Sequence, residues 1–488
     1  MNRIAPLRSI AVFGGGVVAL SAAAAFARAL PWAGVTLVVT PLDAAAFADN
    51  LPTLWPSSAA VLARIGLDEA ALVTAGATNH RLAQRFTGWS RDGSPWLAAE
   101  GEPIGVAGRG ALHHRWLAAS AAGLALPFHA LFPAAALAEA ERLGLPMPAV
   151  LERADHALRL DPAWLTRALA QQLAQAKGRA GSGTIRAVER RADGGIAAVA
   201  LADGRRIEAD LFVDASGPAA LLADPAAARI DWSATLPADR LLVTADAGAS
   251  ASLLDAYETV DHGWSAHWSM PRGGVRALAF ADGVTSEARA RRALGTGRDT
   301  AALVASVPGR AEIAWTGNRL ALGEAAVQVG PLGLAGFSLA LAQLDLALDL
   351  LPGRDMEPLL LAEYNRRAAL RADRVRDYLA AHYLLGGRTR GPFWQALRDR
   401  ELPDGLAATV AQFAQLAHLP HHEEESVNHD GWRMVLIGQG LRPRRPDPVA
   451  MGEDPAAAAV ALRTAHGRLT TVVRELPLYR DWLAGARR

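Results

Sequence analysis

A chain of 488 residues that is 51% hydrophobic can bury a large core or two to three domains, and its formal net charge of +1 leaves no basic excess to offset the phosphates of a nucleic acid. There is no cysteine, which excludes disulfides, thiolate catalysis, cysteine-ligated zinc and iron–sulfur clusters, so redox chemistry would need an organic cofactor or other metal ligands. No apolar run reaches about 20 residues without Gly, Pro or charge, and a soluble, cytoplasmic protein without a membrane partner is expected. Residues 10–27, IAVFGGGVVALSAAAAFA, read as a buried strand (10–13), a glycine turn (Gly14, Gly15, Gly16) and an alanine-rich helix. A β-branched run at 35–40 follows. Strand, turn, helix and strand in this order open a dinucleotide-binding βαβ unit. Gly14 allows the sharp turn, Gly16 allows backbone to approach a pyrophosphate, and Ala19 stands where a third glycine would permit close packing. The helix N-terminus would then offer N–H groups and a positive dipole end to the phosphates. Arg3 and Arg8 before the apolar run also fit a secretory signal. Three glycines between a strand and a helix, with another strand behind, favour the βαβ reading.

The ribose-binding acid expected at the end of the second strand is missing: Val39 and Thr40 stand there, and Asp43 lies beyond Pro41. Residues 51–58 read as a proline-bounded loop, 61–71 as an amphipathic helix containing Gly66, and 83–89 as a short strand. His113 and His114 read as partly exposed, because adjacent side chains diverge and no third ligand is apparent. Residues 161–176 form a helix capped by Asp161. Strands at 184–190 and 196–201 form a hairpin, and 206–213 read as one strand running into Asp214-Ala215-Ser216-Gly217, where backbone could pass close to a ligand. Trp264 and Trp268 fit either an aromatic substrate pocket or the core of a sheet. A strand at 318–322, Glu324, and the glycine-rich 331–336 lead into an apolar helix at 337–351, a second strand–turn–helix able to aim its N-terminus at an anion. Helices are expected at 363–382, within 402–420, and at 455–483; His421 to Glu425 reads as an exposed loop and 442–448 as a proline-rich linker.

The order of these motifs resembles the flavin-dependent tryptophan halogenase family over nearly the whole chain. The carrying stretches are the GGG turn, DLFVDASGPAALL from Asp210, ALGEAA and PLGLAGF from Ala321 to Phe337, AEYNRR from Ala362, RDYLAAHYLL from Arg376, GPFWQALRD from Gly391 and VLIGQGLRP from Val435. The resemblance implies an α/β, FAD-binding, Rossmann-like flavoprotein monooxygenase/halogenase fold. Residues 1–355 would form the FAD domain interleaved with a substrate-side sheet, and residues 356–488 a mostly helical C-terminal region. It implies FAD in its reduced form, a separate flavin reductase and an aromatic, indole-like small-molecule substrate; a homodimer is consistent with it. In the family, reduced FAD, O2 and halide yield a hypohalous oxidant that reaches a lysine beside the substrate.

Carried over residue by residue, the match breaks at several chemical positions. The lysine slot falls on Arg81, with His80 beside it, and arginine cannot readily lose a proton. The family glutamate falls on Gly333, followed by Leu334-Ala335. The flavin loop Gly-Val-Gly-Glu becomes Asp49-Asn50-Leu51-Pro52. The candidate cofactor contacts are Gly14, Gly15, Gly16, Ala19, Glu324, Gly336 and Phe337; backbone at Ala335 and Gly336 would hold halide; Trp264 and Trp268 would line the substrate pocket. Arg81 or His80 would steer the oxidant, and no metal site is expected. Two functions follow: an altered flavin halogenase or monooxygenase, or a catalytically inactive member that binds a small molecule or a partner protein.

Overall fold

The strand Ser9–Phe13 (β1) is apolar and buried from Ile10 onward: parallel strands pair with both of its edges, and packed elements cover its faces, with Ala11 and Phe13 lying against Val199 and Leu201. In the computed structural model, which describes residues 5–487 except 247, 249, 296, 298, 389 and 446, the chain divides into two interleaved units. The first comprises Met1–Ala77, Leu160–Ser233 and Val304–Asp373; the second comprises Thr78–Arg159, Ala234–Leu303 and Arg374–Arg488. Arg3 and Pro446, named in the sequence readings, lie outside the described residues.

The first unit is built on a sheet in the order Trp315–Thr316, Arg319–Ala321, Leu211–Asp214, β1, Gly34–Val39 (β2), Arg179–Ser182. Only the Trp315–Thr316 edge is antiparallel. The helix Val17–Ala29 (α1) crosses from β1 to β2, and residues Val17 to Ala27 are all buried. Its alanines let the helix lie close to its neighbours, and Ala19 is fully buried. The helix Gly336–Asp349 is equally apolar. The stretch Leu332–Asp349 would be long and apolar enough to cross a membrane by composition alone, yet 72% of it is buried in the protein, as a core helix is. The hairpin Ile185–Arg190 and Ile196–Leu201 packs Val199 and Leu201 against Phe13 and Phe212.

The second unit carries most of a seven-stranded sheet in the order Ala302–Ala305, Arg240–Asp246, Gly273–Phe280, Gly263–Met270, Leu254–Val260, Ala83–Thr87, Trp96–Ala99. Helices Leu112–Ala121, Pro133–Ala140, Asp404–Leu416, His429–Gly438, Pro455–Glu475 and Tyr479–Ala486 belong to the same unit.

Four expected elements are interrupted. The helix expected over 61–71 is two, Val61–Arg64 and Glu69–Thr74, because Gly66 turns to a φ of +81° and Asp68 caps the second by accepting the Ala71 N–H at 2.9 Å. The strand expected over 206–213 is also two. Arg206–Ile207 pairs with the hairpin, whereas Leu211–Asp214 enters the parallel sheet. The closing helix stops at Glu475, ahead of Pro477, and restarts at Tyr479. The loop expected over 51–58 contains the strand Thr53–Leu54 and a 3-10 turn, Pro56–Ser58.

Candidate functional site

The glycine turn is as tight as its sequence requires. Gly14 donates its N–H to Val38 O at 3.2 Å, and a Cβ there would lie 2.1 Å from Ala215 O. Gly16 is the N-cap of α1 and has no side chain with which to cap it. The first N–H groups of a helix have no partner inside the helix, so something else must accept them. Here the acceptor is Asp49. Its Oδ1 takes the Val18 N–H at 2.8 Å, and a Cβ on Gly16 would sit 2.1 Å from that same oxygen.

Asp49 lies on a one-turn helix, Phe47–Asn50, and is 3% exposed. Glu324, from the turn Gly323–Ala325, in turn accepts the Ala48 N–H at 3.1 Å. One carboxylate therefore seals α1 and a second seals the short helix that carries the first. Burial pushes the Asp49 carboxyl up to about 6, against the pull of the Val18 and Val17 N–H groups. Burial, then the charge of Asp49, holds the Glu324 carboxyl well above the ordinary carboxylate range.

The segment after Asp49 is stapled to the helix Gly336–Asp349. Trp55 N–H donates to Ser338 Oγ at 2.6 Å, Ser338 Oγ donates to Thr53 O at 3.0 Å, and the Trp55 indole donates to Gly333 O at 3.1 Å. Leu51 and Pro52 are buried. A Cβ on Gly336 would meet the Ala48 side chain at 3.3 Å. Ala335 and Phe337 are buried at 1% and 0% exposure.

Arg81 and His80 lie in the second unit, on the strand Thr78–Arg81. Arg81, 1% exposed, stands between Glu100 at 2.8 Å and Asp255 at 3.6 Å. Asp255 also pairs with the fully buried Arg159 at 3.0 Å, and Arg159 donates to Ser252 O and Ser269 O. The result is a row of alternating charges, Glu100–Arg81–Asp255–Arg159. Burial works against the Arg81 cation, but Glu100 and Asp255 outweigh it and hold its pKa above the usual arginine value. The His80 N–H donates to the Tyr479 hydroxyl at 2.8 Å.

Trp264 and Trp268 are 0% exposed. Their indoles donate to the Tyr383 and Tyr257 hydroxyls at 3.0 and 3.1 Å. Phe86 stacks on Trp96 and Tyr257 at 4.5 and 5.1 Å beside them. Both tryptophans thus face a block of the protein's own rings. His113 and His114, expected to be partly exposed, are each 5% exposed on Leu112–Ala121, because that helix turns both rings inward.

A family model described as tryptophan halogenase matches residues 9–455. The chain belongs to the tryptophan halogenase family. It is 30% identical over 291 residues to tryptophan 7-halogenase RebH of Lentzea aerocolonigenes, a match covering 54% of each chain. It therefore spans about half the length of that curated relative. Among solved structures it superposes on BrvH, a flavin-dependent halogenase from Brevundimonas sp. BAL3, with a TM-score of 0.90 and 26% identity over 99% of both chains. Xcc4156, a flavin-dependent halogenase from Xanthomonas campestris, shares the fold with a TM-score of 0.90 at 24% identity over 99% of both chains.

FAD is the cofactor that family membership implies. The residues at the glycine turn do not fit its pyrophosphate. The α1 N–H groups that would receive phosphate oxygens already bond a buried carboxylate, and a second carboxylate lies behind it. An anion brought there at neutral pH would meet the charge of Asp49 in a desolvated site, while burial favours the neutral form of Glu324. Nothing in the local sequence announces the Asp49 cap, whose partner lies 31 residues away.

Proposed function

We propose that this chain is a tryptophan-halogenase-family protein that works without FAD, as a non-catalytic member that binds a small molecule or a partner protein. The observation that carries this reading is the Asp49 carboxylate on the Val18 N–H. Replacement of the family's lysine and glutamate by Arg81 and Gly333, with Arg81 held between Glu100 and Asp255, supports it. Positioning and acid–base groups of that kind typically contribute about 10²–10⁴-fold each. The test is titration with FAD and, anaerobically, with reduced FAD at neutral pH. Turnover of indoles and phenols with a flavin reductase, O2 and chloride or bromide is then measured. The expected outcome is no saturation at high micromolar flavin and no halogenated product; stoichiometric flavin binding with product formation overturns the proposal.

A second reading, an altered flavin halogenase or monooxygenase in the cytoplasm, is favoured by one observation. The Asp49 carboxyl, pushed up to about 6, takes a proton in mildly acidic solution and then releases part of its hold on the helix. In that case flavin binding strengthens as pH falls below about 6.

A further inference from the structure

His114, His418 and Asp447 are far apart in sequence, and the second unit gathers them. His114 sits on Leu112–Ala121, His418 follows Asp404–Leu416, and Asp447 precedes the turn Ala450–Gly452. Asp447 Oδ1 accepts the Val449 and Ala450 N–H groups, both at 2.9 Å. That fixes the carboxylate and leaves Oδ2 for the histidines. Oδ2 is 3.9 Å from His114 Nε2 and 4.0 Å from His418 Nε2. One ligand atom from each of the three lies within 4.8 Å of the others.

These separations are too long for hydrogen bonds, and His114 Nε2 is buried with no hydrogen-bond partner among the described residues. A buried imidazole nitrogen left unsatisfied costs free energy, so its persistence calls for a ligand. The cluster opens on a cavity of ≈ 440 Å³ lined by His114, Asp447, Leu117, Ser120 and Arg442, among others.

We propose that His114, His418 and Asp447 bind a divalent zinc ion, with its fourth position open to this cavity for water. Two imidazole nitrogens and one carboxylate oxygen are a donor set that zinc shares with ferrous iron and other borderline divalent metals, whereas magnesium and calcium take oxygen ligands and copper(I) prefers sulfur; zinc is the redox-inert member of that group. Tetrahedral zinc with bonds of about 2.0–2.1 Å places its ligand atoms roughly 3.3 Å apart. Closing the two gaps to Asp447 takes less than about 1 Å of movement, and the histidine–histidine gap, within 4.8 Å, at most about 1.5 Å. His418, whose side chain is 55% exposed, is the ligand able to make it, since Asp447 is pinned by backbone. This site is independent of the flavin reading.

The experiment uses the full chain, stripped with a chelator and titrated calorimetrically with zinc chloride, and separately with cobalt(II) followed by visible absorption. Wild type binds one equivalent of zinc, and its cobalt form shows the intense bands of four- or five-coordination. His418→Ala, at a surface position that leaves folding intact, weakens zinc by roughly tenfold or more and abolishes the cobalt bands. Asp447→Asn does the same, while His421→Ala binds as wild type does. No saturable zinc binding by wild type, or equal affinity in His418→Ala and His421→Ala, overturns the proposal.

Discussion

Asp49 is a carboxylic acid made weak by burial, and that has a measurable consequence for stability. Its folded pKa of about 6 lies above the ordinary 3.8. Between those values the native state holds a proton that the unfolded chain has lost, so stability falls as pH rises through that window. Above about pH 6 the penalty is complete, on the order of 3 kcal/mol. Glu324 shifts in the same direction and adds to it. Asp49→Asn keeps an oxygen for the Val18 N–H and cannot ionise. It is expected to melt at a higher temperature than wild type at pH 8 and at a similar one near pH 4; an equal difference at both pH values contradicts the shift. The second residue-scale prediction concerns Arg81. Arg81→Met leaves Glu100 and Asp255 short of a cation in a buried site, and urea unfolding should register a loss of roughly 3–5 kcal/mol. By contrast Arg366, on an exposed helix face with Glu363, should cost under about 1 kcal/mol when changed to Ala.

At the scale of elements, the α1 N-terminus and the one-turn helix Phe47–Asn50 are mutually dependent. Gly16→Ala puts a methyl 2.1 Å from Asp49 Oδ1, so the cap must move and a buried N–H loses its acceptor, at a cost of about 2 kcal/mol. In an Asp49→Gly background the obstacle is gone, and the same change should cost clearly less. A double-mutant cycle by urea unfolding measures the coupling, and strict additivity contradicts the described contact. The βαβ start was legible because a strand apolar on both faces, a glycine turn and an uninterrupted apolar helix are local signals. The Gly66 and Pro477 interruptions were also local but carried less weight than apolar spacing. The Asp49 cap and the inward histidines of Leu112–Ala121 were not legible, since each depends on a segment distant in the chain.

Over the whole molecule, the fold is kept across wide sequence divergence. A TM-score of 0.90 accompanies 26% identity to BrvH. A fold tolerates such divergence because core packing accepts many hydrophobic substitutions of similar volume. Family and architecture could therefore be read from the motifs. The state of the cofactor cleft needed the positions of two carboxylates relative to one helix end. The most direct measurement of that claim is a calorimetric titration of the wild-type chain with FAD at neutral pH. The account predicts no saturable heat at high micromolar FAD, and a one-to-one isotherm in that range contradicts it.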